Sequence, residues 1–437
     1  MNKNMKKVFT IALLLCSAVL TQAETYTLKA CIDTAIHRNL QVKQKDMARE
    51  QQAILYNQAR MNLLPSVSAG VGQSWVFGRS TGADNITRSQ NSSNTNFNIA
   101  ANLTLFDGLK MKFAIDEAKA NMLASEADIR ALEQTIELNI NSIYLQVLQQ
   151  KEYISIALQK IEDTEQKIEK TESQISEGKL AEGEIYALRA QLASEQLELT
   201  QAQNEHQLLL LDLAQAMDMD YSADFDIAPE DTTLISEQLI PSNEEVYTEA
   251  LKNRAEIKVA EQQLKAAETA LKSAKANYSP TLSAGVNFGT GYYHIAGADN
   301  TSFGKQMGDN LSTNVGLNLT IPIFDRLQTH NNIRSKKISI EQQNLQIEQI
   351  KQELKKQIDQ AWLSAKAAQA QLYSAMQSAK TTQEALRYEE NKYENGKSSY
   401  YAYSEAKNKH SQSLNSLAGA KYNFLFKIKV LEYYMAQ

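Results

Sequence analysis

The chain has 437 residues, of which 43% are hydrophobic and 22% charged, and only 21 are glycine or proline. Average proteins use these two residues at roughly 12%, so their scarcity excludes a loop-rich, collagen-like or disordered protein and predicts very long helices. The formal net charge of −6 lacks the basic excess of a nucleic-acid-binding protein, so we expect no nucleic-acid partner.

The N-terminus has the pattern of a secretory signal peptide. A basic segment, a 13-residue apolar run and small residues at the cleavage position follow one another in residues 1–23. The run is shorter than the roughly 20 residues that a transmembrane helix needs, so we predict cleavage after Ala23 and export. Lipidation at Cys16 is the alternative, which the large Leu15 disfavours because a small residue precedes a lipidated cysteine.

The rest of the chain contains two copies of one unit. The segment Pro-Ser-Val-Ser-Ala-Gly-Val at 65–71 recurs as Pro-Thr-Leu-Ser-Ala-Gly-Val at 280–286, and Gly-Ala-Asp-Asn at 82–85 recurs identically at 297–300. Both pairs are 215 residues apart, and a Phe-Asp and a Gly-Lys pair recur at an offset of 218. Self-similarity in constant order and at nearly constant spacing indicates a structural repeat.

Each repeat is predicted to contain a helix, two strands, a long helix and a final helix. The first repeat spans 24–217, an equatorial linker spans 218–242 and the second repeat spans 243–437. The long helix of the first repeat runs for 69 residues without glycine or proline, or about 100 Å. The predicted elements in chain order are helix 28–62, strands 66–77 and 95–106 with loop 78–94 between them, helices 109–177 and 184–217, helix 243–277, strands 281–293 and 311–324 with loop 294–310 between them, helix 326–395, and a last helix that ends near 434.

Both long helices carry heptad repeats. In the first, a β-branched residue recurs every seven residues, and in the second the apolar residues alternate steps of four and three. Sustained heptads require a partner helix, which predicts coiled coils, and alanine permits close approach. The heptad residues are Ile140, Val147, Ile154, Ile161, Ile168 and Ile175 in the first long helix and Leu354, Ile358, Ala361, Ala365, Ala368, Leu372, Ala375 and Ala379 in the second.

The predicted strands alternate between apolar and polar residues. In 95–106 one face is apolar and the other carries asparagine and threonine, and 281–293 and 311–324 repeat the alternation. This pattern is typical of transmembrane β-barrel strands, which are apolar towards lipid and polar towards a lumen. The predicted lipid-facing residues are Phe97, Ile99, Leu103, Leu105, Leu282, Val286, Phe288, Val315, Leu317, Leu319 and Ile321.

Four strands cannot close a barrel with a lumen, because about eight are needed merely to close around side chains. A bilayer also excludes open sheet edges, and a soluble sheet would need a second layer for which no helix is left over. We therefore predict a mainly α protein with transmembrane β structure. It would be a homotrimer with a 12-strand β-barrel, four strands per protomer, joined to an α-helical barrel of long coiled-coil helices.

No catalytic chemistry is visible in the sequence. The five histidines lack the spacing of metal ligands, and no glycine-rich loop leads from a strand into a helix as phosphate binding requires. We predict no catalytic residue, no cofactor and no metal, and thus no enzyme.

The duplicated motifs resemble those of the TolC-type outer membrane efflux proteins. They are Leu-Phe-Asp-Gly at 105–108, Pro-Ile-Phe-Asp at 322–325, and the helix-ending Pro65 and Pro280. The resemblance covers the mature chain and implies a passive exit duct for small molecules or proteins in the outer membrane of a Gram-negative bacterium. It also implies a periplasmic adaptor protein and an inner-membrane pump as partners. A periplasmic coiled-coil adaptor or scaffold is the alternative, which leaves the strands unexplained.

The resemblance implies that the turns after the long helices form the adaptor-docking end and the closed aperture. Glu184 lies where many members carry an acidic gating residue. Ser398 lies where some members have its basic partner, so this sequence departs from the ion-pair lock of those members. A hairpin turn needs glycine at positive φ whatever its function. The turn residues are Gly178, Lys179, Leu180, Ala181, Glu182, Gly183, Glu184, Gly396, Lys397, Ser398, Ser399 and Tyr400. The nearby tyrosines are predicted to pack between helices, with docking as their second role; they are Tyr388, Tyr393, Tyr400, Tyr401 and Tyr403.

Overall fold

The computed structural model describes residues 25–81, 85–178, 181–229 and 239–435. The predicted signal peptide at 1–23 lies outside the described residues, so it stays a prediction together with its cleavage site. Among the described residues, no helix combines the length and the apolarity needed to cross a membrane.

The chain divides into two compact units, and each takes segments from both halves of the sequence. The helical unit comprises the described parts of 1–45, 129–257 and 351–437, and the strand unit comprises those of 46–128 and 258–350. Because the units are discontinuous, they do not follow the boundaries of the predicted repeats.

The part of the chain that the structure describes contains nine α-helices. The two long helices have 67 residues each and lie close to the predicted 109–177 and 326–395, since neither segment contains a glycine or a proline to end it. The helices are α1 Leu28–Arg38, α2 Leu40–Met61, α3 Lys110–Ser176, α4 Gly183–Ala216, α5 Asn243–Asn253, α6 Ala255–Ala276, α7 Phe303–Asp309, α8 Gln328–Glu394 and α9 Tyr400–Met435.

The first helix of each repeat is broken, so the prediction of continuous helices at 28–62 and 243–277 was wrong. The first break is at Asn39, whose extended backbone lets its side-chain oxygen accept hydrogen bonds from the N–H groups of Gln41 at 2.8 Å and Val42 at 3.1 Å. The second is at Arg254, whose guanidinium binds Glu256. At Asn39 the side chain competes for backbone groups, which ends a helix without glycine or proline, whereas at Arg254 the break is an extended backbone.

Four long strands of the strand unit form one antiparallel sheet in the order β2-β5-β7-β8. Each lies close to one of the predicted strands, because the period-two alternation marks a pleated strand with two unlike faces. The strands of the chain are β1 Thr25–Tyr26, β2 Ser66–Val76, β3 Arg79–Thr81, β4 Thr87–Ser89, β5 Ser92–Phe106, β6 Asp226–Ile227, β7 Thr281–Ile295 and β8 Ser312–Thr320.

The segments between the long strands contain more structure than predicted. Part of 78–94 forms the short hairpin of β3 and β4, and β5 already begins at Ser92. The segment 294–310 contains the short helix α7. The prediction of plain loops was therefore wrong in both places, since asparagine, serine and threonine also form short hairpins.

Strand β8 is shorter than the predicted 311–324. Thr320 pairs with Thr281, and the next residue, Ile321, would have to pair with Pro280. Proline has no N–H for the ladder, and Pro322 follows on the same segment, so the strand ends there. Ile321 was predicted to be a lipid-facing strand residue; its place in the strand was wrong because it lies beyond the strand end, and its contact with lipid stays a prediction.

The helical unit has an apolar core. Ile140, Tyr144, Val147 and Leu213 are almost fully buried there. The Tyr144 hydroxyl donates a hydrogen bond to the carbonyl oxygen of Ala228 at 2.6 Å. This bond ties α3 to the segment after β6, which pairs in parallel with β1, so the described part of the predicted linker is anchored to the core.

The heptad residues differ in burial. On α8, six of the eight are buried and Ala361 and Ala375 are partly buried. On α3, Ile140 and Val147 are buried, whereas the next four isoleucines are only partly buried. The stripe of residues that α3 buries therefore changes along the helix.

Candidate functional site at the helical turns

The turn after α8 is a complete glycine cap. Gly396 has φ +68° and donates its N–H to the carbonyl oxygen of Tyr393 at 3.0 Å, and Lys397 donates to that of Lys392 at 2.8 Å. These two bonds define the Schellman motif, which satisfies the last carbonyls of a helix and reverses the chain. Ser399 then caps α9, because its hydroxyl accepts a hydrogen bond from the N–H of Ala402 at 3.4 Å.

The turn after α3 begins in the same way. Gly178 has φ +72° and donates its N–H to the carbonyl oxygen of Ile175 at 2.9 Å. Two predicted turn residues, Lys179 and Leu180, lie outside the described residues. The chain re-enters at Ala181, whose carbonyl accepts from the N–H of Glu184 at 3.2 Å, and Glu182 precedes α4 without a side-chain cap.

Glu184 joins the two turns. Its carboxylate accepts a hydrogen bond at 3.1 Å from the hydroxyl of Tyr393 on α8. Burial, followed by the nearby negative charge of Glu184, raises the pKa of Tyr393 to about 12, so the phenol stays protonated and able to donate. The family resemblance implied a gating role for Glu184 without a partner residue. In the structure, Tyr393 is its hydrogen-bond partner.

Ser398 has a local partner. Its hydroxyl donates to a carboxylate oxygen of Glu389 at 2.9 Å, and the same carboxylate forms an ion pair with Lys392 at 2.7 Å. The hydrogen bonds from Lys392 and Ser398 lower the pKa of Glu389. Ser398 thus stabilises the end of α8 and does not contact Glu184.

Three of the five tyrosines near the turns form a cluster. Tyr393 and Tyr403 stack with centroids 5.4 Å apart and planes at 14°, and Tyr400 meets Tyr393 edge-on at 6.2 Å. Tyr388 and Tyr401 are exposed and lie outside this cluster. Aromatic packing between α8 and α9 therefore holds for three of the predicted set.

A buried lysine lies against the tyrosine cluster. The ammonium of Lys167 on α3 is 5.0 Å from the ring centre of Tyr393 and 4.8 Å from that of Tyr403. The carboxylate of Glu394 is 3.6 Å from the same nitrogen and 2.5 Å from that of Lys170. This cation–π geometry is favourable in a desolvated site, and it ties α3 to α8 and α9.

Lys167 belongs to a buried stripe of polar residues on α3. Lys160, Thr164, Lys167 and Thr171 follow one another at steps of four, three and four, and each has at most 8% of its surface exposed. We call these four residues the polar seam. This spacing is that of a coiled-coil core, so in this stretch the polar residues, and not the predicted isoleucines, take the central positions.

The polar seam holds a buried ion pair between α4 and α9. Glu195 has 1% of its surface exposed, and its carboxylate lies 3.5 Å from the ammonium of Lys407. Thr164 donates to the same carboxylate at 2.6 Å, and Lys407 donates to the hydroxyl of Thr164 and to the carbonyl of Lys160 at 2.8 Å. Burial lowers the pKa of Lys407, and the charge of Glu195 opposes that shift.

Sequence reasoning missed the polar seam. Its signal is visible in the sequence, since a lysine or a threonine recurs at coiled-coil spacing beside the isoleucine heptad. Only the positions of α4 and α9 decide which of the two stripes is buried, and those depend on the fold.

The sheet register brings most of the predicted lipid-facing residues to one face. Val286 lies opposite both Ala101 and Val315, and Phe288 lies opposite Ile99. The register shifts between Thr104 and Phe106, so Phe106 and not Leu105 opposes Leu282. The exposed apolar residues of this face include Val67, Val71, Ile99, Phe288, Val315, Leu317 and Leu319.

Among the described residues, no group of three or more histidine, cysteine, aspartate or glutamate side chains could hold a metal ion. Cys31 is a fully buried thiol, and its burial raises its pKa to about 12. The interactions described at the turns are hydrogen bonds, ion pairs and ring contacts.

Comparisons with a family model and with solved structures agree with this fold. The family model described as outer membrane efflux protein matches residues 31–218 and 246–428, and no curated protein sequence matches significantly. A membrane protein from Pseudomonas aeruginosa is 18% identical, with a TM-score of 0.75 over 93% of this chain and 90% of that chain. VceC, an outer membrane protein of Vibrio cholerae, is 15% identical, with a TM-score of 0.71 over 93% and 96%. The open state of the Neisseria gonorrhoeae MtrE outer membrane channel is 18% identical, with a TM-score of 0.73 over 93% and 88%.

The family match confirms the resemblance that the sequence motifs indicated, and it favours the exit duct over the periplasmic adaptor. The structural matches support the mainly helical fold, and the matched segments include both turns and all four long strands. The chain belongs to the outer membrane efflux protein family.

Proposed function

We propose that the chain is the outer membrane exit duct of a tripartite efflux or export system in a Gram-negative bacterium. It conducts small molecules or proteins passively from a periplasmic adaptor and an inner-membrane pump to the exterior, and it catalyses no reaction. The observation that carries this proposal is the four-stranded sheet. One face of that sheet exposes apolar side chains continuously, which is the surface that lipid covers in a membrane barrel.

The duct is a homotrimer. Strands β2 and β8 are the edges of the sheet, and a bilayer excludes unpaired edges, so three sheets pair edge to edge into twelve strands. The equivalent helices α2 and α6 support this assembly. Helix α2 exposes the large apolar side chains of Met47, Ile54 and Leu55, whereas α6 buries most of its alanines. The apolar residues of α2 supply contacts between protomers.

The N-terminal segment and the repeats complete this proposal. Residues 1–23 are removed after Ala23 on export. The mature chain consists of repeats at 24–217 and 243–437 with the linker 218–242 between them. The apolar face of the sheet contacts outer membrane lipid, while the long helices pair into a helical barrel in the periplasm.

The two helical turns form the aperture and the surface to which the adaptor docks. The hydrogen bond between Tyr393 and Glu184 holds α8 to the start of α4 in the closed state. A partner that binds better to the open state shifts the population towards it. The MtrE channel has been crystallised in an open state, which is consistent with an aperture that adopts two conformations.

The oligomeric mass of the protein tests this function. The chain is expressed in a Gram-negative host, the outer membrane fraction is extracted with detergent, and the mass of the protein is measured by light scattering. A trimer in this fraction that conducts ions in planar bilayers is the expected result. A monomer in the soluble periplasmic fraction would replace the duct with the coiled-coil scaffold.

A further inference from the structure

The middle of the polar face of the four-stranded sheet is built from amides and small residues. In the register, Asn98 lies between Gly70 and Gly289, and Asn102 lies between Ser66 and Gly285. Each row across the strands therefore places an amide beside a glycine or a serine. The alternation of the strands puts these residues opposite the apolar face.

The amides of this face lie across the glycines of neighbouring strands. A Cβ atom added to Gly70 would be 2.7 Å from the side-chain oxygen of Asn98, and one added to Gly285 would be 3.1 Å from that of Asn102. Gly291 shows the same closeness to a third asparagine of β5. The glycines thus leave room for these asparagine side chains, and amide groups line the polar face.

The polar face has no charged residue along the strands. No aspartate, glutamate, lysine or arginine occurs in Ser66–Val76, Ser92–Phe106, 281–293 or Ser312–Thr320. The histidine of the four long strands, His294, is the next-to-last residue of β7 and shares the alternation of the apolar face. Charged residues resume beyond the strand ends, at Asp107 after β5, Arg79 after β2 and Asp309 before β8.

We infer that the strand segment of the duct is an uncharged, amide-lined passage that does not select its solutes by the sign of their charge. The inference rests on the proposed function, because the polar face lines a lumen only if the sheets close into a barrel. It extends that function by naming the substrate class, which includes cations, anions and neutral polar molecules.

The chemistry of asparagine explains why the passage accepts solutes of either charge. An amide offers two N–H donors and one carbonyl acceptor, so its N–H groups can interact with an anion and its oxygen with a cation. Fixed charges create potentials that concentrate one sign of ion in a confined lumen, and their absence leaves both signs equal. Selection by charge would then have to come from parts of the duct outside the strands.

Charged thiol reagents test the inference at one position. Asn98→Cys is introduced into a Cys31→Ala background, and the protein is reconstituted in lipid vesicles at low salt. A cationic and an anionic methanethiosulfonate, alike except for their charged groups, are reacted with this cysteine. The ratio of their rate constants is divided by the ratio for a small free thiol.

The expected normalised ratio is within about threefold of one, since none of the four long strands carries an aspartate, glutamate, lysine or arginine and the nearest ones lie beyond the strand ends. A larger departure in either direction overturns the inference. Adding Ser68→Asp places a carboxylate on the same face about 7–8 Å away and should shift the ratio about fourfold towards the cation at ~0.01 M salt. The neutral match Ser68→Asn should leave the ratio unchanged, and a shift there would overturn the electrostatic reading.

A cysteine on the opposite face separates this inference from the proposed function. Val315→Cys lies on the apolar face and should react slowly with both reagents because lipid covers it. If Val315→Cys reacts as fast as Asn98→Cys, the sheet does not lie in a bilayer. That result overturns the proposed duct, whereas a skewed ratio at Asn98→Cys beside a protected Val315→Cys overturns the inference alone.

Discussion

Helix α3 buries two unlike stretches within the helical unit. Between Ile136 and Leu148 its buried positions are mostly apolar and join a core with Leu213, while between Lys160 and Thr171 they are lysine and threonine. An apolar seam gains from packing but tolerates many small rearrangements of similar energy. A buried ion pair gains little net free energy and is strongly destabilised when one partner is lost. The first stretch therefore supplies stability, and the second fixes one arrangement of the helices near the turns.

The largest expected effect comes from breaking the buried ion pair. Lys407→Met leaves the carboxylate of Glu195 buried without its cation and should lower the free energy of unfolding by about 4 kcal/mol. Adding Glu195→Leu should restore most of that loss, because the charge that was left unpaired is then removed. Chemical unfolding followed by circular dichroism measures both variants.

A partly buried ion pair between α3 and α9 is the matched control. Lys421 and Glu152 are paired with 22% and 31% of their side chains exposed, so Lys421→Met should cost about 1 kcal/mol or less. Equal losses for Lys407→Met and Lys421→Met would show that burial of the Lys407 pair has no special cost.

A cavity in the apolar seam should have the next largest effect. Leu213→Ala removes a fully buried side chain and should lower the free energy of unfolding by about 3 kcal/mol. Leu208→Ala on the same helix is the control, since Leu208 is 55% exposed. If Leu213→Ala is no more destabilising than Leu208→Ala, the apolar stretch does not supply the stability assigned to it.

The bond between the turns should affect conformation more than folding. Tyr393→Phe removes the hydroxyl that donates to Glu184 and should favour the open aperture by about tenfold, since a hydrogen bond to a charged group contributes about 1.5 kcal/mol. Single-channel conductance in planar bilayers measures the open fraction. Tyr186→Phe, an exposed tyrosine on α4, should leave it unchanged, and an equal response of both variants would contradict the proposed role of Tyr393.

The same bond predicts a response to alkaline pH. The pKa of Tyr393 is raised to about 12 in the folded protein, above the usual value of about 10. The neutral phenol is the form that the fold favours, so its contribution is complete below pH 10 and is lost as the pH rises towards 12. The open fraction of the unmodified protein should rise over this range, and Tyr393→Phe should abolish that rise.

The smallest expected effect compares two partly buried histidines, His206 on α4 and His410 on α9. Burial lowers the pKa of His206 and of His410 below the usual value near 6.5. A depressed pKa gives stability that is complete above pH 6.5 and is lost as the pH falls through the folded value. The Tm should therefore fall by roughly a few degrees between pH 7 and pH 5. His206→Gln and His410→Gln should each flatten this dependence, and two unchanged profiles would exclude both histidines as its source.

The sequence was sufficient for the elements whose signal is local. The absence of glycine and proline predicted the two long helices, and the period-two alternation predicted the four long strands. The glycine turns followed from residues 178 and 396. In each case one stretch of chain carries its own pattern, and no distant contact is needed to interpret it.

The rest depends on contacts between distant segments. The break at Asn39 comes from a side chain that can bond within the helix or cap the next one. The register shift in β5 between Thr104 and Phe106 appears only against the neighbouring strand β7. The choice between the isoleucine stripe and the polar seam depends on α4 and α9, and the link from Glu184 to Tyr393 joins residues 209 positions apart.

The equal length of α3 and α8, 67 residues each, limits how the molecule can change size. One added residue rotates the remainder of a helix by about 100°, so it would turn a buried stripe towards solvent. Insertions of seven residues nearly preserve the facing of a coiled coil. A lengthened helix must also still meet its neighbours at the same turn. A protein built in this way can gain or lose length only in whole heptads, and both long helices must change together. The length of the duct therefore changes in discrete steps.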